Sequence, residues 1–262
     1  MSTAAVPVEP AAPSWSADVY AEALRTGRGP LFLRRADGWL LPLDVERWCA
    51  APDTADRSAL RRCAGSVLDI GCGPGRLVAA LAAAGHRALG IDVSEAAVRH
   101  TLRLGGAALR RSVFDPLPGE GRWGTALLLD GNIGIGGDPA ALLARVARLL
   151  APRGLLLAET APVDVDERVR VHVDDGRGRG EPGGTFPWAR LGTTALLGYA
   201  HGPAWQVADQ WTAGGRCFVA LRRRAVRSTR TERHRAEPAQ SAAVTSSQRA
   251  RNTSGGRPVA AS

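Results

Sequence analysis

The sequence contains no lysine: all thirty-four of its basic residues are arginine, which we read as coding bias and not as selection for phosphate contacts. It has no run of eighteen apolar residues, so no bilayer-spanning helix is expected, although 45% of its 262 residues are hydrophobic and a sizeable core is affordable. The opening stretch MSTAAVPVEPAAPS has neither a basic flank nor an apolar run and does not resemble a secretory signal. Cysteines are few. Cys49, Cys63, Cys72 and Cys217 are scattered, with no CxxC pair and no histidine at metal-ligand spacing, which excludes a disulfide framework and predicts no metal site. Reduced thiols and the missing signal together predict a cytoplasmic protein. A basic groove is also lacking, because the net charge of +9 is not spread along the chain. Ten arginines from Arg222 onward face only Glu232 and Glu237, so the tail carries +8 and residues 1–221 carry +1. Nucleic acid is therefore unlikely as a partner except through the tail.

What is present is a glycine turn, VLDIGCGPGRL, from Val67 to Leu77. Val67, Leu68 and Ile70 read as the end of a buried strand, and RLVAALAAAG after the glycines reads as a helix. Glycine suits such a turn, where a side chain would hold the main chain away from a ligand. The spacing Gly71-Cys72-Gly73-Pro74-Gly75 with Arg76 next breaks the third-glycine position of the dinucleotide fingerprint and disfavours a nicotinamide-dependent dehydrogenase. Cys72 inside the turn reads as a small packing residue.

Around this turn the pattern alternates. Residues 1–14 are rich in Ala, Pro and Ser and are expected to be disordered. A helix capped by Ser16 comes next, then a hairpin about Ala36-Asp37-Gly38 and one or two short helices over 44–65. Strands are expected at 66–70, over HRALGID to Asp92, over LRRSVFD to about Asp115, over 125–130 and over LLLAET, with helices between them that Ser94 and Asp138 can cap. This βαβα series argues for a parallel sheet covered on both faces, with ligands at the carboxyl ends of its strands. A hairpin insertion over about 164–190, a helix at 193–200 and two strands, WQVADQW and RCFVALRR, complete the folded part. Residues 225–262 are Arg- and Ser-rich without apolar period and are expected to be disordered.

DIGCGPG resembles the first motif of the class I S-adenosylmethionine-dependent methyltransferases, and LGIDVS resembles their second. The resemblance implies an α/β fold with a Rossmann-like, mainly parallel seven-stranded sheet, helices on both faces and the last strand antiparallel. It implies a methyltransferase domain over 66–224, with 15–65 as a possible lid, and S-adenosyl-L-methionine as cofactor. It assigns Asp69, Gly71, Gly73 and Gly75 to the cofactor turn, and Asp92 to the ribose hydroxyls. Ser112 and Val113 stand at the adenine position, with Asp115 as the other candidate. Asp130 and Gly131, with Asn132, stand where the family faces the methionine part and the incoming substrate. Asp130 and His172 are weak candidates for a general base. Tyr20, Trp39, Trp48, Phe186 and Trp188 are aromatics that could close over the pocket. No NPPY-type signature of amino-nitrogen methylation in nucleic acids or proteins is present. The leading expectation is methyl transfer to a small molecule by in-line displacement; the alternatives are a cofactor-binding domain without catalysis and an RNA or DNA methyltransferase using the tail. Oligomeric state is not indicated.

Overall fold

The computed structural model describes residues 18–177 and 184–225. The Ser16 cap, the first fourteen residues, the glycine-rich centre of the insertion and the arginine tail lie outside the described residues. In chain order the elements are α1 (Asp18–Thr26), β1 (Phe32–Arg35), β2 (Leu40–Pro42), α2 (Val45–Cys49), α3 (Thr54–Leu60), β3 (Val67–Ile70), α4 (Arg76–Ala83), β4 (Ala88–Asp92), α5 (Glu95–Arg103) and β5 (Ala108–Arg110). There follow β6 (Trp123–Leu128), α6 (Pro139–Leu149), β7 (Leu150–Thr160), β8 (Asp166–Asp174), β9 (Phe186–Leu191), α7 (Thr193–Ala200), β10 (Trp205–Ala213) and β11 (Arg216–Arg223).

Helix starts are set by side chains that replace missing backbone partners. Asp44 and Ser94 accept from the N–H of the third residue of α2 and α5, and Asp138 does so for α6, where Pro139 occupies the first turn. At α3 the arrangement is reciprocal: Asp53 accepts from the Asp56 N–H while the Asp56 carboxylate accepts from the Asp53 N–H.

Seven strands form the central sheet in the order β10-β11-β7-β6-β3-β4-β5. β3, β4, β5, β6 and β7 pair in parallel, and β11 runs antiparallel to β7, as the family pattern implies. The continuous apolar runs follow from this burial, since neighbouring residues must satisfy opposite faces. Leu68, Ile70, Ala126 and Leu128 face a layer with Leu142, Val146 and Leu196 from α6 and α7. Val67, Leu127 and Leu129 face Ala55, Ala59, Leu77 and Leu81 from α3 and α4.

Two departures from the sequence reading bear on the site. The third parallel strand, β5, ends at Arg110, not near Asp115. Beyond it the chain folds into a turn: the Ser112 N–H donates to Asp115 Oδ2 at 3.0 Å and the Asp115 N–H donates to the Ser112 carbonyl at 3.1 Å. The second departure is that the N-terminal hairpin and the inserted hairpin are one structure. They join as a four-stranded antiparallel sheet, β2-β1-β8-β9, with Phe32 opposite Asp174 and Val171 opposite Phe186. Beneath it Tyr20, Leu24, Leu33, Trp48, Val173 and Trp188 form a separate apolar cluster.

Gly75 opens α4 with φ +90°, and a Cβ there would stand 2.3 Å from Thr101 Oγ1 of α5. Gly75→Ala combines left-handed strain with overpacking and should lower stability by about 2–4 kcal/mol, read as a fall in the urea unfolding midpoint.

Candidate functional site

The glycine turn between β3 and α4 is held on three sides by hydrogen bonds. From β4, the Ile91 carbonyl accepts from the Gly71 and Cys72 N–H groups at 2.8 and 3.0 Å. Asp92 accepts from the Gly73 N–H at 2.9 Å through Oδ2 and from the Ser94 N–H at 2.8 Å through Oδ1. From α5, His100 Nδ1 lies 2.8 Å from the Pro74 carbonyl, and Thr101 Oγ1 lies 3.1 Å from the Gly73 carbonyl. From the loop after β6, Asn132 Nδ2 donates to the Ile70 and Gly71 carbonyls at 2.9 and 2.8 Å. Gly71 is needed for that contact: at φ +72°, its Cβ would come within 2.7 Å of Asn132 Nδ2.

This turn forms part of a cleft of about 250 Å³ at the carboxyl ends of the parallel strands. That volume is room for far more than a few waters and approaches the range of small-molecule sites. Gly71, Gly73, Asp92, Ser112, Val113 and Asp130 all line it. Asp69, Gly75 and Gly131 do not, and neither do Asp115, Glu159 and His172. Asp115 closes the turn that presents Ser112, and Arg145 of α6 holds the same loop through the Val113 and Asp115 carbonyls at 2.8 and 2.6 Å. His172 stands on β8 between Val171 and Val173, which point the other way into the apolar cluster. Of the five aromatics, Tyr20, Trp48, Phe186 and Trp188 line the cleft, whereas Trp39 packs under the Arg35 and Arg190 guanidiniums.

Beside the cleft lies an ion network that the sequence reading missed. Arg76 Nε and Nη2 donate to the two Asp56 oxygens at 2.8 and 3.0 Å, and Arg76 Nη1 stands 2.8 Å from Asp130 Oδ2. Arg216 reaches Asp56, Asp130 and Glu159 at 2.8, 3.1 and 2.6 Å. Arg47 of α2 adds a third cation on Asp130 at 2.7 Å. Burial works against the charged form of Asp130, but Arg76, Arg47 and Arg216 outweigh it and hold its carboxyl below the usual range. Asp56 behaves alike, its burial overcome by Arg76 and Arg216, and is brought down to about 2. Asp130 is thus an anchor for guanidiniums and a poor base. One signal for Arg76 was available in the sequence: a cation in the first turn of a helix opposes the helix dipole and calls for acidic partners, yet α4 has no acid there.

Asp69 differs. It is 2% exposed, its Oδ2 has no hydrogen-bond partner among the described residues, and burial pushes its carboxyl up to about 7 despite Arg76, with Asp130 and Asp92 adding to the rise. In the unfolded chain an aspartate titrates near 4. Between about pH 4 and pH 7 the folded state therefore binds more protons than the unfolded state, and this group lowers stability as pH rises through that window. Asp69→Asn should remove the decline, so that the variant's urea midpoint gains on the wild type's between pH 4.5 and pH 7.5.

The family described as "Methyltransferase domain" matches residues 45–193, more than half of the chain. No curated protein matches the sequence. Among solved structures, an S-adenosylmethionine-dependent methyltransferase from Bacteroides fragilis in complex with S-adenosyl-L-homocysteine superimposes with a TM-score of 0.66 at 20% identity, over 84% of this chain and 98% of that one. A 1,6-didemethyltoxoflavin-N1-methyltransferase from Burkholderia thailandensis, with its namesake compound and S-adenosylhomocysteine bound, superimposes with a TM-score of 0.54 at 19% identity, over 84% and 94%. With the strand order, the glycine turn and the matched residues in agreement, the chain belongs to the methyltransferase domain family.

Proposed function

We propose that this protein transfers a methyl group from S-adenosyl-L-methionine to a small-molecule acceptor. The observation that carries the reading is the convergence of Gly71, Gly73, Asp92, Ser112 and Val113, from three successive strand ends, on one cleft. Each Asp92 oxygen already accepts one backbone N–H and keeps a lone pair for a ribose hydroxyl. Ser112 and Val113, held by Arg145 through the Val113 carbonyl, would meet the adenine. Gly71 and Gly73 would let the main chain approach the rest of the cofactor, and Asp69, Gly75 and Gly131 support that turn and the loop facing it without lining the cleft.

When bound, the cofactor supplies a methyl group on a sulfonium, and in the transfer the acceptor's lone pair forms the new bond to carbon while the S–C pair returns to sulfur. The chain's task is then alignment and exclusion of water. Tyr20 and Trp48 from residues 15–65, together with Phe186 and Trp188 from the inserted hairpin, serve as the cover in this reading. A small-molecule acceptor fits a cleft walled by aromatic side chains, and the Burkholderia thailandensis protein, which carries a small heterocycle, has the same fold. Among the described residues no helix is long and apolar enough to cross a membrane. We place the protein in the cytoplasm and treat residues 225–262 as outside the catalytic domain.

Titration calorimetry with S-adenosylhomocysteine tests the reading. The wild type should bind, and Asp92→Ala should weaken binding by about 10- to 100-fold, the worth of hydrogen bonds to a buried charged group. No heat with the wild type, or equal affinity for the variant, would overturn it.

A further inference from the structure

We infer that the acceptor is an uncharged molecule methylated on a nitrogen that still bears a hydrogen, and that Asn132 Oδ1 receives this N–H. The inference rests on the methyltransferase reading above.

The first support is the orientation of the Asn132 amide. Its Nδ2 stands 2.9 and 2.8 Å from the Ile70 and Gly71 carbonyls, which can only accept, so the NH₂ end must face them and both of its hydrogens are engaged. Oδ1 is left as a fixed acceptor in a side chain that lines the cleft, and nothing among the described residues donates to it. The backbone that presents it is unusual. Asp130 and Gly131 are successive left-handed residues, at φ 57° and 84°, and the Asn132 N–H is tied to the Leu129 carbonyl at 3.0 Å. A non-glycine residue held in that conformation stores strain, which is typical of a loop shaped for a ligand.

The second support is what the wall cannot do. Asp130 is occupied by three guanidiniums, and Asp92 is assigned to the ribose. The Cys72 thiol and the Tyr20 phenol are pushed up by burial and stay protonated, and among the described residues no histidine lines the cleft. An alcohol or thiol would need one of these groups as a base. A neutral nitrogen needs none, since its lone pair is available with the N–H in place. As the N–C bond forms, the nitrogen becomes cationic and its proton passes to water at the cleft mouth.

The third support is charge. Arg76, Asp92 and Asp130 are all engaged, and the one lining charge without an acidic partner among the described residues, Arg111, adjoins the Ser112–Val113 end given to the adenine. An anionic acceptor beside Trp48, Phe186 and Trp188 would be desolvated without a cation to compensate it, and a protonated nitrogen would have no lone pair to offer the methyl carbon.

A small-molecule extract is split on paired anion and cation exchangers at pH 7, and the flow-through and retained pools are each incubated with the full-length protein and methyl-tritiated S-adenosylmethionine. Label should enter the flow-through pool and should resist hydriodic acid, which releases O-methyl groups. With the labelled compound as substrate, Asn132→Ala should lower kcat/KM by about 10- to 100-fold more than it lowers S-adenosylhomocysteine affinity, which also falls because the Ile70 and Gly71 carbonyls lose their donor. Label confined to the retained pool, acid-labile label, or an affinity loss as large as the loss in kcat/KM overturns this inference and leaves the methyltransferase reading standing. Absence of label from both pools, with no S-adenosylhomocysteine heat, overturns both.

Discussion

Three guanidiniums and three carboxylates, largely removed from water beside the methyl-donor end of the sheet, are the contact on which the arrangement of the site depends. Asp56 lies on α3, Arg76 on α4, Asp130 after β6, Glu159 on β7, Arg216 on β11 and Arg47 on α2, so one network joins six parts of the chain. Among these six the charges balance, with the more exposed Asp44 and Asp53 pairing with Arg47 and Arg216 at the rim, and this matters more than the number of contacts. A buried ion pair gains little over apolar packing, but loss of one member leaves an uncompensated charge costing about 3–5 kcal/mol. The network therefore acts less as glue than as a constraint: few other packings of these helices and strands would satisfy all six groups at once. Asp56 also accepts from the Asp53 N–H, so the start of α3 is fixed by the same carboxylate.

That constraint shapes the chemistry available in the cleft. Carboxylates near a reacting centre are ordinarily candidates for proton transfer, yet Asp130 is held ionised by its cations and is positioned by them, and Glu159 is taken up by Arg216 and by the Asp130 N–H at 2.7 Å. The acids have been turned from reagents into fixtures. Among the described residues the acceptor left facing the cleft is the Asn132 amide oxygen, and the Trp48 Nε1–H is a donor without a partner; in the reading proposed above, the amide oxygen orients a proton and does not remove it. For methyl transfer this is sufficient, because the leaving group is a neutral thioether and alignment carries most of the task.

Local signals made the central sheet legible. Apolar runs at Leu68, Ile70, Leu127 and Leu128, capping residues at Ser94 and Asp138, and glycines where the backbone must turn left-handed each act over a few residues, so the order of strands and helices follows from reading along the chain. Asp92 was singled out because it stands in a motif at fixed spacing, and it lines the cleft and holds the glycine turn. Arg76, Arg216 and Asp56 were not, because their partnership is made only when α3, α4 and β11 come together, and no local pattern encodes it. The early end of β5 was missed for a different reason. Ser112 and Asp115 satisfy each other's backbone in a turn, and that side-chain competition overrides the strand preference of Val113 and Phe114.

The pairing of β1 with β8 was beyond local reading altogether, and it is what brings the two hairpins together over the cleft. Two hairpins, one before the central sheet and one inserted after its fifth parallel strand, meet in register to roof the cleft with Trp48, Phe186 and Trp188 nearby. One wall of the cleft is the glycine turn, where a Cβ at Gly71 or Gly75 would overlap Asn132 or Thr101. The wall carrying Phe186 and Trp188 is a strand whose ladder hydrogen bonds involve only the main chain. Phe186 and Trp188 also belong to the apolar cluster beneath that sheet, so they serve packing and the cleft wall at once. Eleven residues therefore suffice to mark the family, while the aromatic wall of the cleft is written across separate segments that only the fold unites.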